Sequence, residues 1–507
     1  MELISSADLY QALSVVLMPA VLLWITGGVV LGMIVGATPG LTATAGVAIA
    51  TPLTFSMDFQ SAMALLLGIY CGGYFAGSIP AILINTPGAP GNAATAMAGY
   101  PLARRGQANL ALGLAVISSV IGGWLSALCL LLAAPGLASI ALKFTSAEYF
   151  ALGLFGLTCV AAIAGGSLLK GITAALLGMV LGCVGIDPVS GTERLTFALP
   201  DLLGGVPLVP ALIAFFAITE LISKGVQNSA DDIVATQDQV RLSALLPYYI
   251  RHKWLVLKSA AIGTGIGMLP GTGPTIAAWI AYGEALRSEK KAAKHESDNP
   301  RSERAESGSV PGVIAAETAN NAVTGGALIP MLTLGIPGDT VTAVLIGALL
   351  IQGIEPGPFF IRTETALFTQ LLLVLLIANA LVLIFGLAAR RALPLILTIP
   401  TRILVPVVAV LCASGVFAIN NSSFDVVLIA VLGLTGYLLL RFGYPMAPLV
   451  LGLVLGPIVE TNFRNALAVS EMNPGVFFSR PISASLIITT VLVLLWSWRR
   501  QVQASRG

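Results

Sequence analysis

Two kinds of Pro/Gly break inside long apolar stretches recur at fixed offsets, and they limit what this chain can fold into. Gly32-Met-Ile-Val-Gly36-Ala-Thr-Pro39-Gly40 returns as Gly263-Thr-Gly-Ile-Gly267-Met-Leu-Pro270-Gly271, an offset of 231, and Thr44 and Thr275 keep that register. Further along, Ile79-Pro80 followed by Pro87-Gly88 returns as Ile329-Pro330 followed by Pro337-Gly338, an offset of 250. Proline inside a helix removes a hydrogen bond and clashes with the preceding turn. Corresponding broken helices in two halves of a membrane chain point to the binding site of a transporter. The pattern reads as a carrier.

Composition puts these breaks in a bilayer. Of 507 residues, 56% are hydrophobic and only 10% charged, too few charges to cover so much apolar surface in water. The expected fold is an all-α polytopic membrane protein of about 11 to 15 membrane segments with an inverted internal repeat. Residues 1–106 form the first repeat and 107–253 scaffold helices. Residues 254–360 form the second repeat, with a charged loop at 287–309, and 361–507 further scaffold with a cytoplasmic C-terminus. The net charge of +2 implies no nucleic-acid partner, and the five cysteines stand singly in apolar runs, as core residues do. Met1–Asp8 carries no basic residue, so the first apolar run is expected to stay in the mature chain.

Charge sets the topology, because Lys and Arg mark the cytoplasmic side. None precedes Arg104-Arg105, and basic groups then alternate with basic-poor turns at Lys143–Glu148, Asp187–Asp201, Glu355, Asn420–Asp425 and Glu460–Glu471. In the first copy the early turn carries only Asp58 and the late end Arg104-Arg105. In the second the early turn is the basic-rich Arg287–Ser309 loop and the late end carries Glu355. Opposite bias at equivalent points reads as two copies facing opposite ways. The Arg287–Ser309 loop itself reads as solvated.

The first motifs supply Thr38, Pro39, Gly40 and Thr42, and Pro270, Gly271, Thr272, Gly273 and Thr275. The half-helices that start there present free N–H groups and a positive dipole end, which hold a carboxylate without Lys or Arg. Carbonyls freed by the breaks suit Na⁺, a hard cation that favours oxygen. The second motifs add Asn85, Thr86, Gly88 and Asn92, and Pro337, Gly338 and Thr340. The alternative for each is a kink or a close-packing site. Four breaks paired across two copies favour a substrate site.

Ionisable groups in apolar segments are costly and count as functional candidates. Asp339 and Glu317, with Asn320, Asn321 and Thr333 near them, are candidates for carrying a coupling H⁺ or Na⁺. Asp339 equally suits a helix cap, and Glu317 reads as snorkelling from the cytoplasmic end of its helix. Glu220, Lys224 and Glu148 read as interfacial. His252 and His295 offer no metal pair, and no Ser/His/Asp set or phosphate-binding GK[ST] loop occurs, so the chain reads as no enzyme and needs no cofactor beyond its coupling ion.

At these motifs the chain closely resembles the large permease subunit of tripartite tricarboxylate transporters, the TctA family. The resemblance rests on Gly36-Ala-Thr-Pro-Gly-Leu41, Ser78-Ile-Pro-Ala-Ile-Leu-Ile-Asn-Thr-Pro-Gly-Ala-Pro-Gly91, Met268-Leu-Pro-Gly-Thr-Gly-Pro274 and Leu334-Gly-Ile-Pro-Gly-Asp-Thr340. It implies a protein of the bacterial inner membrane working with a small TctB-like membrane subunit and a TctC-like periplasmic solute-binding protein. It also implies inward transport of citrate or another organic carboxylate by secondary coupling to Na⁺ or H⁺. Rival readings are an ion channel or passive anion pore, an enzyme acting on lipid-linked substrates, and a structural subunit. An enzyme would need an interfacial catalytic cluster, which the sequence lacks, and a structural subunit would not need duplicated midplane breaks.

Overall fold

In the computed structural model, residues 5–38, 41–163, 167–225, 242–293, 308–388 and 401–504 are described. Pro39, Gly40, His295 and most of the 287–309 loop lie outside them. The fold is all-α and polytopic. Among the described residues seven helices are long and apolar enough to cross a membrane, including Pro19–Ala37, Thr365–Ala388, Ser423–Arg441 and Met446–Val469. Six shorter apolar helices accompany them. Strand structure among the described residues is one small hairpin pairing Gly185–Ile186 with Glu193–Arg194.

Two helices form the centre. Phe59–Ala76 starts at Asp58, whose side chain accepts from the Ser61 amide, and every residue from Ser61 to Ala76 is buried. Val310–Leu334 starts at Ser309, which caps the Gly312 amide in the same way, and every residue from Gly312 to Thr333 is buried. Such helices need polar residues only where a partner waits for them. Pro19–Ala37 lies along the first central helix and Lys253–Gly267 along the second, while Ala108–Ala141 packs against the second from another side.

Small residues set these contacts, and the contacts repeat. A Cβ at Gly32 or Gly36 would overlap the carbonyl oxygen of Ile69 or Gly73. A Cβ at Gly263 or Gly267 would strike the carbonyl oxygen of Ala319 or Val323. Each pair is related to its counterpart by the offsets of 231 and 250. Gly88 presses on the Gly36 carbonyl and the Gly77 Cα, just as Gly338 presses on the Gly267 carbonyl and the Ala327 Cα. The helix endings match as well. Asn85 and Gly335 are both left-handed caps, at φ 53° and 69°. The Thr86 amide donates to the Pro80 carbonyl and the Ile336 amide to the Pro330 carbonyl. Sequence offsets are thus reproduced in three-dimensional contacts.

The ends of the copies also meet. The Gln352 amide donates to the carbonyls of Thr54 and Met57, so the early turn of the first copy adjoins the late end of the second. At the other pair of ends the Ser309 amide donates to the Ala98 carbonyl. A peripheral group packs Met446–Val469 on Leu168–Gly182 and Ser146–Ile163.

Candidate functional site

The breaks of one copy meet those of the other. Ala43–Ala50, which follows the first break, packs against Thr340–Ile351, and the Thr44 and Thr340 hydroxyls share a hydrogen bond of 2.7 Å. Gly273–Ala293, which follows the equivalent break, packs on the Pro90–Asn92 turn, where a Cβ at Gly91 would overlap the Asn320 amide oxygen and press on Pro274. Each first motif thus faces the other copy's second motif.

At the first crossing sits Asp339, the N-cap of Thr340–Ile351. One carboxylate oxygen accepts from the Thr342 amide at 2.8 Å and the Thr342 hydroxyl at 2.7 Å. The other accepts from the hydroxyls of Tyr70, at 2.7 Å, and Tyr74, at 2.5 Å. Those tyrosines are four residues apart on the first central helix, so they share one face. Asp339 is 1% exposed. It is therefore both a helix cap and a carboxylate held by the opposite copy.

Glu317 lies at the second crossing. One oxygen accepts from the Thr95 hydroxyl at 2.5 Å and the Asn92 amide at 3.3 Å. The other accepts from the Ser119 hydroxyl at 2.9 Å and the Asn321 amide at 3.4 Å. The two centres are joined, because the Tyr74 carbonyl accepts from the side-chain amides of Asn92 and Asn320. Every one of these donors is neutral. The chain has no Lys or Arg at 1–103 or 310–361, and the ion pairs among the described residues lie elsewhere. A buried charge in such surroundings is expensive until a proton or cation joins it.

The tripartite tricarboxylate transporter TctA family matches residues 22–451. The chain belongs to that family. It is also 38% identical, over 96% of its length and 94% of the relative's, to an Agrobacterium vitis protein described as an uncharacterized 52.8 kDa protein in the TAR-I ttuC' 3'region. A second Agrobacterium vitis protein, described as uncharacterized in the TAR-II ttuC' 3'region, is 39% identical over 47% of this chain and 96% of its own length. No solved structure matches it.

Several residues of this TctA-family chain sit differently from their sequence reading. Glu317 does not snorkel. It is fully buried, because its helix is enclosed along its whole length and its polar partners wait inside. Glu148 is buried too, and is paired with Arg480 at 2.5 Å. Glu220 is half-buried and accepts from the Thr42 hydroxyl at 3.2 Å, which ties it to the first half-helix start. The Lys224 side chain lies outside the described residues.

The threonines divide into two groups. Thr42 caps Ala43–Ala50 through the Ala45 amide, and Thr44 reaches the other copy. Thr38 bonds back to the Ile34 carbonyl, Thr272 to those of Ile266 and Leu269, and Thr333 to that of Ile329. Such local bonds compete with any ligand. Asn85 is exposed at its left-handed cap and Thr86 bonds the Ile84 carbonyl. Thr275 is half-buried near the second crossing. Pro270 and Pro337 are buried at their breaks, where the Gly271 amide donates to the Gly338 carbonyl at 2.8 Å. At Gly273, φ of 64° starts the new helix.

No sequence pattern marks Tyr70, Tyr74, Thr95 and Ser119 as site residues. The available signal was two tyrosines at helical spacing in an otherwise apolar stretch, and a Ser118-Ser119 pair in another.

Proposed function

We propose that this TctA-family chain is the membrane permease of a cation-coupled secondary transporter importing organic carboxylates, tricarboxylates such as citrate or dicarboxylates. The observation that carries the reading is the pair of buried carboxylates, Glu317 and Asp339, held by neutral donors where duplicated breaks cross. A site that must neutralise its own charge before accepting an anion needs Na⁺ or H⁺, and that requirement couples cation to substrate. Oxygen atoms of Glu317, Thr95 and Ser119 suit either ion.

Substrate carboxylates would meet the N-termini of the half-helices, with Thr44 and Thr340 between them, as anions meet helix starts elsewhere. Pro39, Gly40 and Gly273 would let the backbone approach. The two copies would be inverted. This is supported by the way the early turn of each lies beside the late end of the other, with Asp58 and Glu355 near one such meeting and Arg104 and Ser309 near the other. Alternating access would move the broken-helix unit against 107–253 and 361–507. A periplasmic solute-binding protein would dock near Asp58 and Glu355, a small membrane subunit would complete the assembly, and the bacterial inner membrane would house it.

The test is uptake of labelled citrate and other carboxylates into vesicles holding the chain with its small subunit. It is run with and without the binding protein, and with and without an inward Na⁺ or H⁺ gradient. Accumulation that needs the binding protein and one gradient is expected. Downhill flux indifferent to both gradients would identify a passive pore and refute the reading.

A further inference from the structure

The helix Leu242–Arg251 carries apolar residues on two faces, and only one has a protein partner. Leu245 is 0% and Tyr249 8% exposed, both turned inward. On the outer side Leu246 is 60% and Ile250 65% exposed, one helical turn apart, and Trp254, 75% exposed, follows just past the break at His252 (φ −108°, ψ 21°) at the start of Lys253–Gly267. Arg251 and Lys253 are exposed beside these apolar residues, and the Lys253 ammonium lies 6.0 Å from the Trp254 ring. Exposed apolar residues, an interfacial tryptophan and flanking cations together describe a segment seated at a membrane surface rich in negative headgroups.

The inner face leads towards the site. The Tyr249 hydroxyl bonds the Ser118 hydroxyl and donates to the Leu114 carbonyl, both at 2.8 Å. Ser118 is the neighbour of Ser119, which donates to Glu317. These contacts connect the helix to one wall of the Glu317 cradle.

We infer that the Leu242–Trp254 segment is a binding site for anionic phospholipid of the cytoplasmic leaflet, and that Tyr249 links its seating to the position of Ser119. The occupant is lipid rather than a protein because the cations fall beside the exposed apolar residues. There a headgroup phosphate and an acyl chain from one molecule are satisfied together. Tyr249 is a positioning residue, acting through Ser118 and Ser119. The link to transport rests on the function proposed above, whereas the lipid site does not.

The full chain in vesicles containing brominated phosphatidylglycerol or brominated phosphatidylcholine tests both parts. Trp254 is read as the difference in emission between wild type and Trp254→Phe. Enrichment of the anionic lipid by about fivefold per basic residue is expected, so quenching by the brominated phosphatidylglycerol is the stronger. The Arg251→Gln/Lys253→Gln variant is expected to lose that preference. Equal quenching by both lipids, no quenching by either (apolar residues covered by protein), or a preference that survives the double variant would overturn the site. For the link, carboxylate uptake should rise with phosphatidylglycerol in wild type. Tyr249→Phe should lose that rise while its Trp254 quenching is unchanged, and a rise kept in this variant would overturn the link. With the small subunit, the binding protein and the inward gradients supplied, absence of uptake in every lipid would refute the transport reading, and the quenching would still decide the lipid site.

Discussion

Glu317→Gln separates a structural carboxylate from a coupling one. The side chain receives four donors, two on each oxygen, and each pair contains one hydroxyl and one amide: Thr95 with Asn92, and Ser119 with Asn321. Whichever way the glutamine amide points, its NH₂ faces one pair. The hydroxyl there can rotate and accept, whereas the asparagine amide cannot. An orphaned buried donor costs about 1–3 kcal/mol. Both asparagines have other acceptors, Asn92 in the Tyr74 carbonyl and Asn321 in the Glu317 carbonyl and the Ser119 hydroxyl, so the cost falls at the lower end, ~1 kcal/mol. The variant should therefore fold, with melting lowered by only a few degrees. Its amide cannot take up or release a proton and offers no charge to Na⁺. Gradient-driven accumulation in vesicles should be lost, while exchange of labelled for unlabelled substrate across the membrane persists. Wild-type accumulation by the Gln variant would refute the coupling role. Loss of accumulation and exchange together, with unchanged melting, would refute the separation of binding from coupling.

Tyr70→Phe and Tyr74→Phe each remove a donor to the same Asp339 oxygen. Each should cost about 1.5–3 kcal/mol in thermal stability, and the double variant less than the sum, because the two hydroxyls share one acceptor. Gly88→Ala and Gly338→Ala drive a Cβ into the carbonyls of Gly36 and Gly267, so each should lose about 1–3 kcal/mol and most uptake. Gly265→Ala, which meets open space, should leave both measurements unchanged. The Asp187 carboxyl, in the turn before the Glu193–Arg194 strand, is held below the ordinary carboxylate range by the Ser190 hydroxyl and by Arg464. A depressed carboxylate stabilises above its unfolded pKa and fails only as pH falls through the folded one. Amide exchange over 185–194 should thus stay slow down to about pH 4, the ordinary value for aspartate, and Asp187→Asn should speed it at neutral pH.

The sequence made the breaks visible because Pro and Gly act locally, wherever the chain places them. The 231 and 250 offsets became matching glycine contacts for the same reason. A Cβ-free position is required wherever two backbones touch, and both copies touch at equivalent points. What the sequence withheld depends on distant neighbours. Glu317 lies eight residues beyond the Ser309 cap, a distance that alone suggests a helix end near water. Only the enclosure of the whole helix makes it central. Tyr74 and Asp339 are 265 residues apart, and no local pattern pairs them. Thr38, Thr272 and Thr333 show the opposite failure. Their hydroxyls suit a ligand by type, but a backbone carbonyl a few residues earlier lies within reach and takes them.

The two copies differ in one respect that gives the proposed cycle a physical requirement. Glu317 and Asp339 both belong to the second copy, and the 250 offset places Leu67 and Ala89 at the equivalent positions of the first. The first copy contributes neutral donors: Tyr70 and Tyr74 to Asp339, Asn92 and Thr95 to Glu317. Any loosening between the copies as the broken-helix unit moves costs Asp339 two hydrogen bonds that share one oxygen, less than twice the ~1.5–3 kcal/mol of a single bond to a charged group, and costs Glu317 half of its cradle. An ionised carboxylate would resist that motion, whereas one neutralised by a proton or a bound cation would permit it. The motion is then easier once a cation has neutralised the two carboxylates. The coupling proposed above would draw on that difference, which follows from which copy holds the charge and which holds the donors.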